Sequence, residues 1–132
     1  SAAIANAYAA GTEEIEAVEA DTLADSISVN LPSDGLRALR AATQTGGAYI
    51  AVPDDAILDA ISALGSVGIF SEPAAATAYA GLVQAIEDGM IAPDDPVVVL
   101  NTGSGLKDVK AAKQAGGEAP VIPPTLEAVK AL

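Results

Sequence analysis

Residues Val97–Asp108, with the sequence VVVLNTGSGLKD, join an aliphatic run to a glycine-rich turn and the start of a helix. Because Val97–Leu100 shows no polar alternation, the run is typical of an interior strand in a parallel sheet. Weaker β-type runs precede it at Ser26–Leu31 and Tyr49–Val52. Alternation of such runs with helical segments predicts an α/β fold, an open and mostly parallel sheet with right-handed crossovers.

Helix signals separate these β-type runs. Ser33 is a candidate N-cap for a helix with Leu36, Leu39 and Ala42 on one face, and Ile57, Ile61 and Leu64 form the apolar stripe of the next helix. The predicted helices are Ala2–Ala10, a segment from Ser33 to the Gly46-Gly47 pair, a segment beginning at Pro53-Asp54-Asp55, Pro73–Asp88, Lys107–Ala115 and Thr125–Leu132. The connection Thr12–Ala20 is expected to be exposed.

The turn Asn101–Gly105 follows the predicted interior strand, where ligands of α/β sheets bind. Its two glycines allow close backbone approach, and two hydroxyls add neutral hydrogen-bonding groups. The dinucleotide fingerprint is excluded because Asp108 replaces the third glycine, and the P-loop is excluded because Gly105-Leu106-Lys107 lacks the required Gly-Lys-Ser/Thr. On these residues alone, an ordinary strand-to-helix turn and a ligand-binding wall are both open.

The composition excludes several classes of catalytic and metal site. The 132 residues fit one domain, and the 51% hydrophobic content predicts burial of roughly two-thirds of the unfolded surface. The chain has no histidine and no cysteine, which excludes a Ser-His-Asp triad, a Cys-His pair and a conventional zinc site. The Asp54-Asp55 and Asp94-Asp95 pairs lie in turn contexts and lack the spacing of a calcium loop, so no metal site is expected.

The charge distribution bears on partners. Residues 1–106 carry fifteen acids against two arginines, whereas residues 107–132 carry four lysines against three acids, and the net charge is −12. We therefore expect no nucleic-acid partner, and we hypothesise an origin in high salt. No apolar run reaches the roughly 18 residues of a membrane helix and no signal peptide opens the chain, so a cytoplasmic location with no membrane partner is expected.

Three segments carry a family resemblance. Thr102–Asp108 (TGSGLKD) resembles the Thr-Gly-His-Gly-Leu-Lys-Asp stretch of threonine synthases, with Ser104 in place of histidine. Ile69–Ala78 (IFSEPAAATA) is similar to their Glu-Pro-Ala-Gly-Ala-Thr-Ala helix start, with Ala75 in place of glycine. Asp21–Val29 (DTLADSISV) resembles the Thr-Ile-Ala-Asp-Gly-Ile segment that threonine and serine dehydratases share. By this resemblance the chain is identified as a member of the threonine synthase type of fold-type II pyridoxal-phosphate enzymes.

The resemblance implies a cofactor, pyridoxal 5'-phosphate, and four residues beside it. Thr102 places its hydroxyl at the pyridine nitrogen of the cofactor. Because the hydroxyl is neutral, the nitrogen stays largely unprotonated. Gly103 and Ser104 shape the same wall, and Glu72 either lies near the cofactor or caps the helix that follows it. The alternative for Thr102 is an ST-turn that closes the strand end. Lys107 is interpreted as a charged residue at a helix start, because the family's cofactor-bearing lysine lies upstream.

The same resemblance implies the reaction and the architecture. The family converts O-phospho-L-homoserine and water into L-threonine and phosphate, and its cofactor-bearing lysine and phosphate loop have no counterpart in this chain. We therefore expect residues 1–132 to be a single C-terminal fragment of the cofactor-binding large domain, part of a three-layer sheet of the tryptophan synthase β type. We expect it to be inactive alone, with the missing N-terminal portion and a second copy of the enzyme as partners and no catalytic residue of its own.

Two alternatives to a threonine synthase fragment remain open. A threonine or serine dehydratase shares the scaffold, and only upstream substrate loops would separate it from a synthase, although TGSGLKD favours the synthase. A stand-alone, non-catalytic α/β binding module is the other possibility. Such a module predicts a closed hydrophobic core, whereas a fragment predicts an exposed apolar edge or face.

Overall fold

Six α-helices and two short 3₁₀ helices make up the regular structure of the chain. The computed structural model describes all residues, Ser1–Leu132. The helices are α1 (Ala3–Ala10), α2 (Gly35–Thr45), α3 (Asp54–Ser66), α4 (Pro73–Glu87), α5 (Val109–Gly116) and α6 (Leu126–Lys130), and the 3₁₀ helices are Asp25–Ile27 and Gly105–Lys107. No helix is long and apolar enough to cross a membrane.

The core is a three-helix layer in which α3 packs against both α4 and α5. Its larger side chains come from α3, whereas α4 and α5 contribute alanines, which allow the helix axes to approach closely. The buried cluster consists of Ala24, Ile57, Ala60, Ile61, Leu64, Ala76, Ala80 and Ala111. The predicted stripe of Ile57, Ile61 and Leu64 is therefore confirmed, and each of these side chains contributes about 1.5–3 kcal/mol by burial.

Local signals predicted most helix ends correctly. Gly11 and Gly46 end α1 and α2 with φ of 65° and 71°, a left-handed conformation that glycine adopts without steric cost. Pro73 begins α4, and Thr125 caps α6 through a hydrogen bond from the Ala128 amide. Two details of α2 are wrong: the N-cap position is Asp34 and not Ser33, and Leu36 is exposed while Leu39 is buried.

The predicted strands do not form within this chain. Val97–Leu100 and Tyr49–Val52 lie in no strand, and the Ser26–Leu31 region begins with the 3₁₀ helix Asp25–Ile27. The expected interior run is instead at the surface, with Val98 85% and Leu100 72% exposed. A strand exists only through hydrogen bonds to a neighbouring strand, and these segments do not pair with one another.

The chain also buries less surface than its length predicts. A folded monomer of 13.0 kDa exposes about 6,300 Å² and its unfolded chain about 19,000 Å². This chain exposes 8856 Å², so it buries only about half of the unfolded surface, and the expected two-thirds is wrong. Large apolar side chains such as Leu106 and Val121 account for part of the excess.

Candidate functional site

One antiparallel bridge connects the start of α4 to the glycine-rich turn. It pairs Ser71 with Ser104. The Glu72 amide donates to the Gly103 carbonyl at 3.1 Å, and the Gly105 amide donates to the Phe70 carbonyl at 3.0 Å. Two segments that are about thirty residues apart in the sequence are thus joined at the backbone.

Hydrogen bonds hold the residues on both sides of Thr102. The buried Ser71 hydroxyl donates to Asn101 Oδ1 at 2.6 Å, immediately before Thr102. Immediately after it, the Gly103 carbonyl accepts the Glu72 amide. Thr102 therefore lies between two tethered residues.

Gly103 is required by the side chain of Glu72. A Cβ atom at this position would lie 1.7 Å from Glu72 Oε1 and 2.7 Å from its Cγ. The Glu72 carboxylate is buried, with its side chain 8% exposed, and it accepts a hydrogen bond from Lys107 Nζ at 3.2 Å. This buried carboxylate therefore has a charged partner, as its burial demands.

A second close approach occurs at Gly105, two residues further on. A Cβ atom there would lie 2.3 Å from Phe70 Cε2. The aromatic ring thus lies directly on the backbone of the turn. The glycine spacing that the sequence shows at 103 and 105 is explained by these two packed side chains, Glu72 and Phe70.

The four predicted site residues behave differently from one another. Thr102 is exposed and its hydroxyl makes no hydrogen bond within the chain, so the ST-turn alternative is not formed. Ser104 caps the 3₁₀ helix Gly105–Lys107, accepting from the Leu106 amide at 3.3 Å. Glu72 occupies the N-cap position of α4 without a side-chain capping bond, and points to Gly103 and Lys107 instead.

All three family-like segments contribute to one cleft, and Glu72 is the predicted site residue that lines it. A cleft of about 420 Å³ is lined by Asp25 and Ser26 from the first segment, by Glu72, Pro73 and Ala74 from the second, and by Lys107 and Asp108 from the third. The 3₁₀ helix Asp25–Ile27 packs against α4, which brings the first segment to the second. Residues far apart in the chain are therefore brought to one edge of the helical layer.

The aspartate pairs have structural partners. Asp54 accepts hydrogen bonds from the Thr22 hydroxyl at 2.5 Å and the Leu23 amide at 2.8 Å, and it lies with Asp55 in the first turn of α3. Asp95 accepts from the Ala92 amide at 2.7 Å. The interpretation of both pairs as helix-start and turn residues is confirmed.

Sequence reasoning did not identify Ser71 and Asn101 as parts of the site, and it assigned Lys107 only to a helix start. Ser71 stands directly before the Glu-Pro pair, and Asn101 opens the glycine-rich turn. The sequence signal that could have indicated them is their position as uncharged polar residues beside recognised motifs. Their pairing depends on the fold and has no periodic signature in the sequence.

The hydroxyl of Thr102 meets the requirement of a group that contacts a heteroaromatic nitrogen. It is exposed, it has no partner within the chain, and its two neighbours are held by hydrogen bonds. A bound pyridoxal phosphate would supply an electron sink for carbanion chemistry at the substrate. The residues present therefore fit one edge of such a cofactor.

Comparisons with known proteins show which family the chain resembles. Residues 1–103 match the family model described as pyridoxal-phosphate dependent enzyme. The chain is 40% identical over 99 residues to a threonine synthase of Methanocaldococcus jannaschii, covering 74% of this chain and 24% of that protein. It is 40% identical over 89 residues to a threonine synthase of Mycobacterium bovis, covering 67% and 25% respectively.

A threonine synthase of Methanosarcina acetivorans is 33% identical over 111 residues, covering 83% of this chain and 27% of that protein. The chain thus spans about a quarter of the length of these relatives. The resemblance to threonine synthases is confirmed, and it supports an α/β fold in general, although the chain itself forms no strand. The chain belongs to the family of pyridoxal-phosphate-dependent enzymes.

Proposed function

We propose that this chain is the C-terminal part of the cofactor-binding large domain of a threonine synthase, which converts O-phospho-L-homoserine and water into L-threonine and phosphate. The observation that carries the proposal is the convergence of three segments, Asp21–Val29, Ile69–Ala78 and Thr102–Asp108, at one cleft. The three relatives described above are threonine synthases.

In this proposal Thr102 hydrogen-bonds the pyridine nitrogen of pyridoxal phosphate. Gly103 and Ser104 form the backbone beside the ring, and Glu72 lies behind Gly103. The neutral hydroxyl can donate or accept, so it holds the ring without adding a charge beside the nitrogen. Orientation of the ring is the contribution of these residues, and the attachment of the cofactor is assigned to the upstream part of the enzyme.

The exposed surface supports a fragment rather than a stand-alone module. The chain exposes about 2,500 Å² more surface than a typical folded monomer of its mass. This excess is at the upper end of the area that one partner buries in an obligate interface. Val97–Leu100 contributes four aliphatic residues with no strand partner. We propose that the missing N-terminal portion supplies neighbouring strands and completes a mostly parallel three-layer sheet.

We further propose that the isolated chain is inactive and that the complete enzyme is a cytoplasmic homo-oligomer acting on an amino-acid substrate. None of the four lysines, at positions 107, 110, 113 and 130, lies in the region where the resemblance places the cofactor-bearing lysine. A chimaera tests the proposal, in which this chain replaces the matching region of the Methanocaldococcus jannaschii threonine synthase. Phosphate release from O-phospho-L-homoserine is the assay.

Thr102→Ser and Thr102→Val form the matched pair in that chimaera. Serine keeps the hydroxyl, whereas valine keeps the shape and removes the hydrogen bond. Since one neutral hydrogen bond contributes about 0.5–1.5 kcal/mol, we expect Thr102→Val to weaken cofactor binding up to about tenfold and Thr102→Ser to leave it nearly unchanged. Equal cofactor affinities for the two variants would contradict the assigned contact.

A further inference from the structure

Two pairs of residues tether the backbone on either side of Thr102, and we propose that Ser71 and Asn101 are positioning residues that fix the Thr102 hydroxyl for the cofactor. This inference rests on the function proposed above and adds residues that carry no role in it. The Ser71–Asn101 hydrogen bond and the Glu72–Lys107 ion pair together are called the clamp.

The hydrogen bond side of the clamp acts on the residue before Thr102. The Ser71 hydroxyl is buried, the residue being 1% exposed, and it donates to Asn101 Oδ1 at 2.6 Å. The same hydroxyl also lies 3.2 Å from the Glu72 carbonyl, so removing the Asn101 side chain costs it the shorter of its two hydrogen bonds. Asn101 itself is exposed, so its side chain is held at the surface by this one buried partner.

The ionic side of the clamp acts on the residue after Thr102. The Glu72 side chain fills the space over Gly103, and Lys107 Nζ holds the carboxylate at 3.2 Å. The Glu72 amide also donates to the Gly103 carbonyl. Because both neighbours of Thr102 are tethered to residues at the start of α4, the backbone that carries the hydroxyl is held in place, and the hydroxyl itself stays free to bind the cofactor.

This arrangement reduces the entropic cost of holding the cofactor. A loop that is already ordered loses little conformational entropy when a ligand binds, so it binds the ligand more tightly than a disordered loop with the same contacts. A turn with the same sequence but no clamp would present the same hydroxyl in many directions. The clamp therefore predicts that residues which never touch the cofactor influence how tightly it is held.

Asn101→Asp and Asn101→Ala distinguish positioning from general stability. Aspartate keeps an oxygen acceptor for the Ser71 hydroxyl, whereas alanine removes it, and the exposed position tolerates both. Ser62→Ala is the matched control, because the Ser62 hydroxyl donates to the Ala115 carbonyl at 2.7 Å in a different part of the chain. All three variants are made in the 132-residue chain and in the chimaera.

In the 132-residue chain, hydrogen–deuterium exchange of the Glu72 and Gly105 amides, which donate to the Gly103 and Phe70 carbonyls, reports on the clamp alone. We expect exchange about fivefold faster in Asn101→Ala, since one hydrogen bond is worth about 1 kcal/mol. We expect no change in Asn101→Asp or Ser62→Ala. Unchanged exchange in Asn101→Ala, or equal acceleration by Ser62→Ala, would overturn the clamp whatever the chain does as an enzyme.

In the chimaera, cofactor affinity measured from the visible absorbance reports on positioning. We expect Asn101→Ala to weaken it about fivefold and Asn101→Asp to restore it. Faster exchange in Asn101→Ala without a loss of affinity overturns the positioning role. If Thr102→Val also leaves affinity unchanged, the proposed function fails separately, while the exchange data still decide whether the clamp exists.

Discussion

Substituting Gly103 by alanine tests whether the Glu72 side chain determines the conformation of the glycine-rich turn. The new Cβ atom would lie 1.7 Å from Glu72 Oε1, 2.2 Å from Cδ and 2.7 Å from Cγ. Real Cβ atoms do not approach that closely, so the whole end of the side chain must leave its buried position. Its departure also breaks the 3.2 Å contact with Lys107.

The loss of stability in Gly103→Ala is caused by overpacking. Inserting one methyl group into a packed site costs about 1–3 kcal/mol, so Gly103→Ala should lower the free energy of unfolding by about that amount. Gly81→Ala is the matched control, because Gly81 lies inside α4 and the methyl group that alanine adds there would have no atom within 4 Å. An alanine in that helix interior should raise the free energy of unfolding by about 0.5–1 kcal/mol.

A double-mutant cycle assigns the clash to Glu72. The three nearest atoms to the new methyl group all belong to that side chain, so Glu72→Ala makes room for it. In the Glu72→Ala background, Gly103→Ala should cost at least about 1 kcal/mol less, a coupling within the range seen for contacting residues. Urea unfolding followed by the helical circular dichroism signal gives all four free energies. An equal cost in both backgrounds would refute the reasoning.

Three further predictions concern packing, pH and salt. Leu39→Ala should destabilise the chain by about 2–5 kcal/mol because Leu39 is 3% exposed, whereas Leu36→Ala should cost far less at 39% exposure; equal losses in urea unfolding would count against the described α2 face. The hydrogen bond from Arg40 and its charge hold the pKa of Glu13 below its ordinary value. The pair therefore stabilises the fold fully at any pH above the ordinary Glu pKa, and this contribution is lost as the pH falls through the lowered pKa. Nuclear magnetic resonance titration checks the direction, and a Glu13 pKa unchanged by Arg40→Gln would disprove it. Because the net charge is −12, the urea midpoint should rise with KCl concentration, and a midpoint independent of KCl would reject the high-salt hypothesis.

The helices could be predicted from the sequence because their signals are local. The proline at the start of α4, the glycines that end α1 and α2, and the stripe of α3 each act within a few residues of the chain. Leu36 is the informative exception: its position on the helix suited a buried stripe, but α2 packs through Gly35 and Leu39. Which part of an apolar face is covered depends on the neighbouring helix.

The strands could not be predicted in the same way because pairing is not local. Val97–Leu100 has the composition of an interior strand, yet its hydrogen bonds need a neighbour that residues 1–132 do not provide. The site followed the same division. The candidate residues Thr102, Gly103, Ser104 and Glu72 were predicted from recognisable motifs, whereas the Ser71–Asn101 pair spans thirty residues and emerges only from the fold.

The most direct test of the central claim is an assay of the 132-residue chain itself. The chain is mixed with pyridoxal phosphate and O-phospho-L-homoserine, phosphate release is measured, and borohydride reduction with mass spectrometry locates any lysine that has reacted. We predict no phosphate release above the rate of free cofactor, and no single lysine labelled in preference to the other three. Turnover accompanied by labelling of one lysine would contradict the claim that this chain is the part of a threonine synthase that orients the cofactor without attaching it.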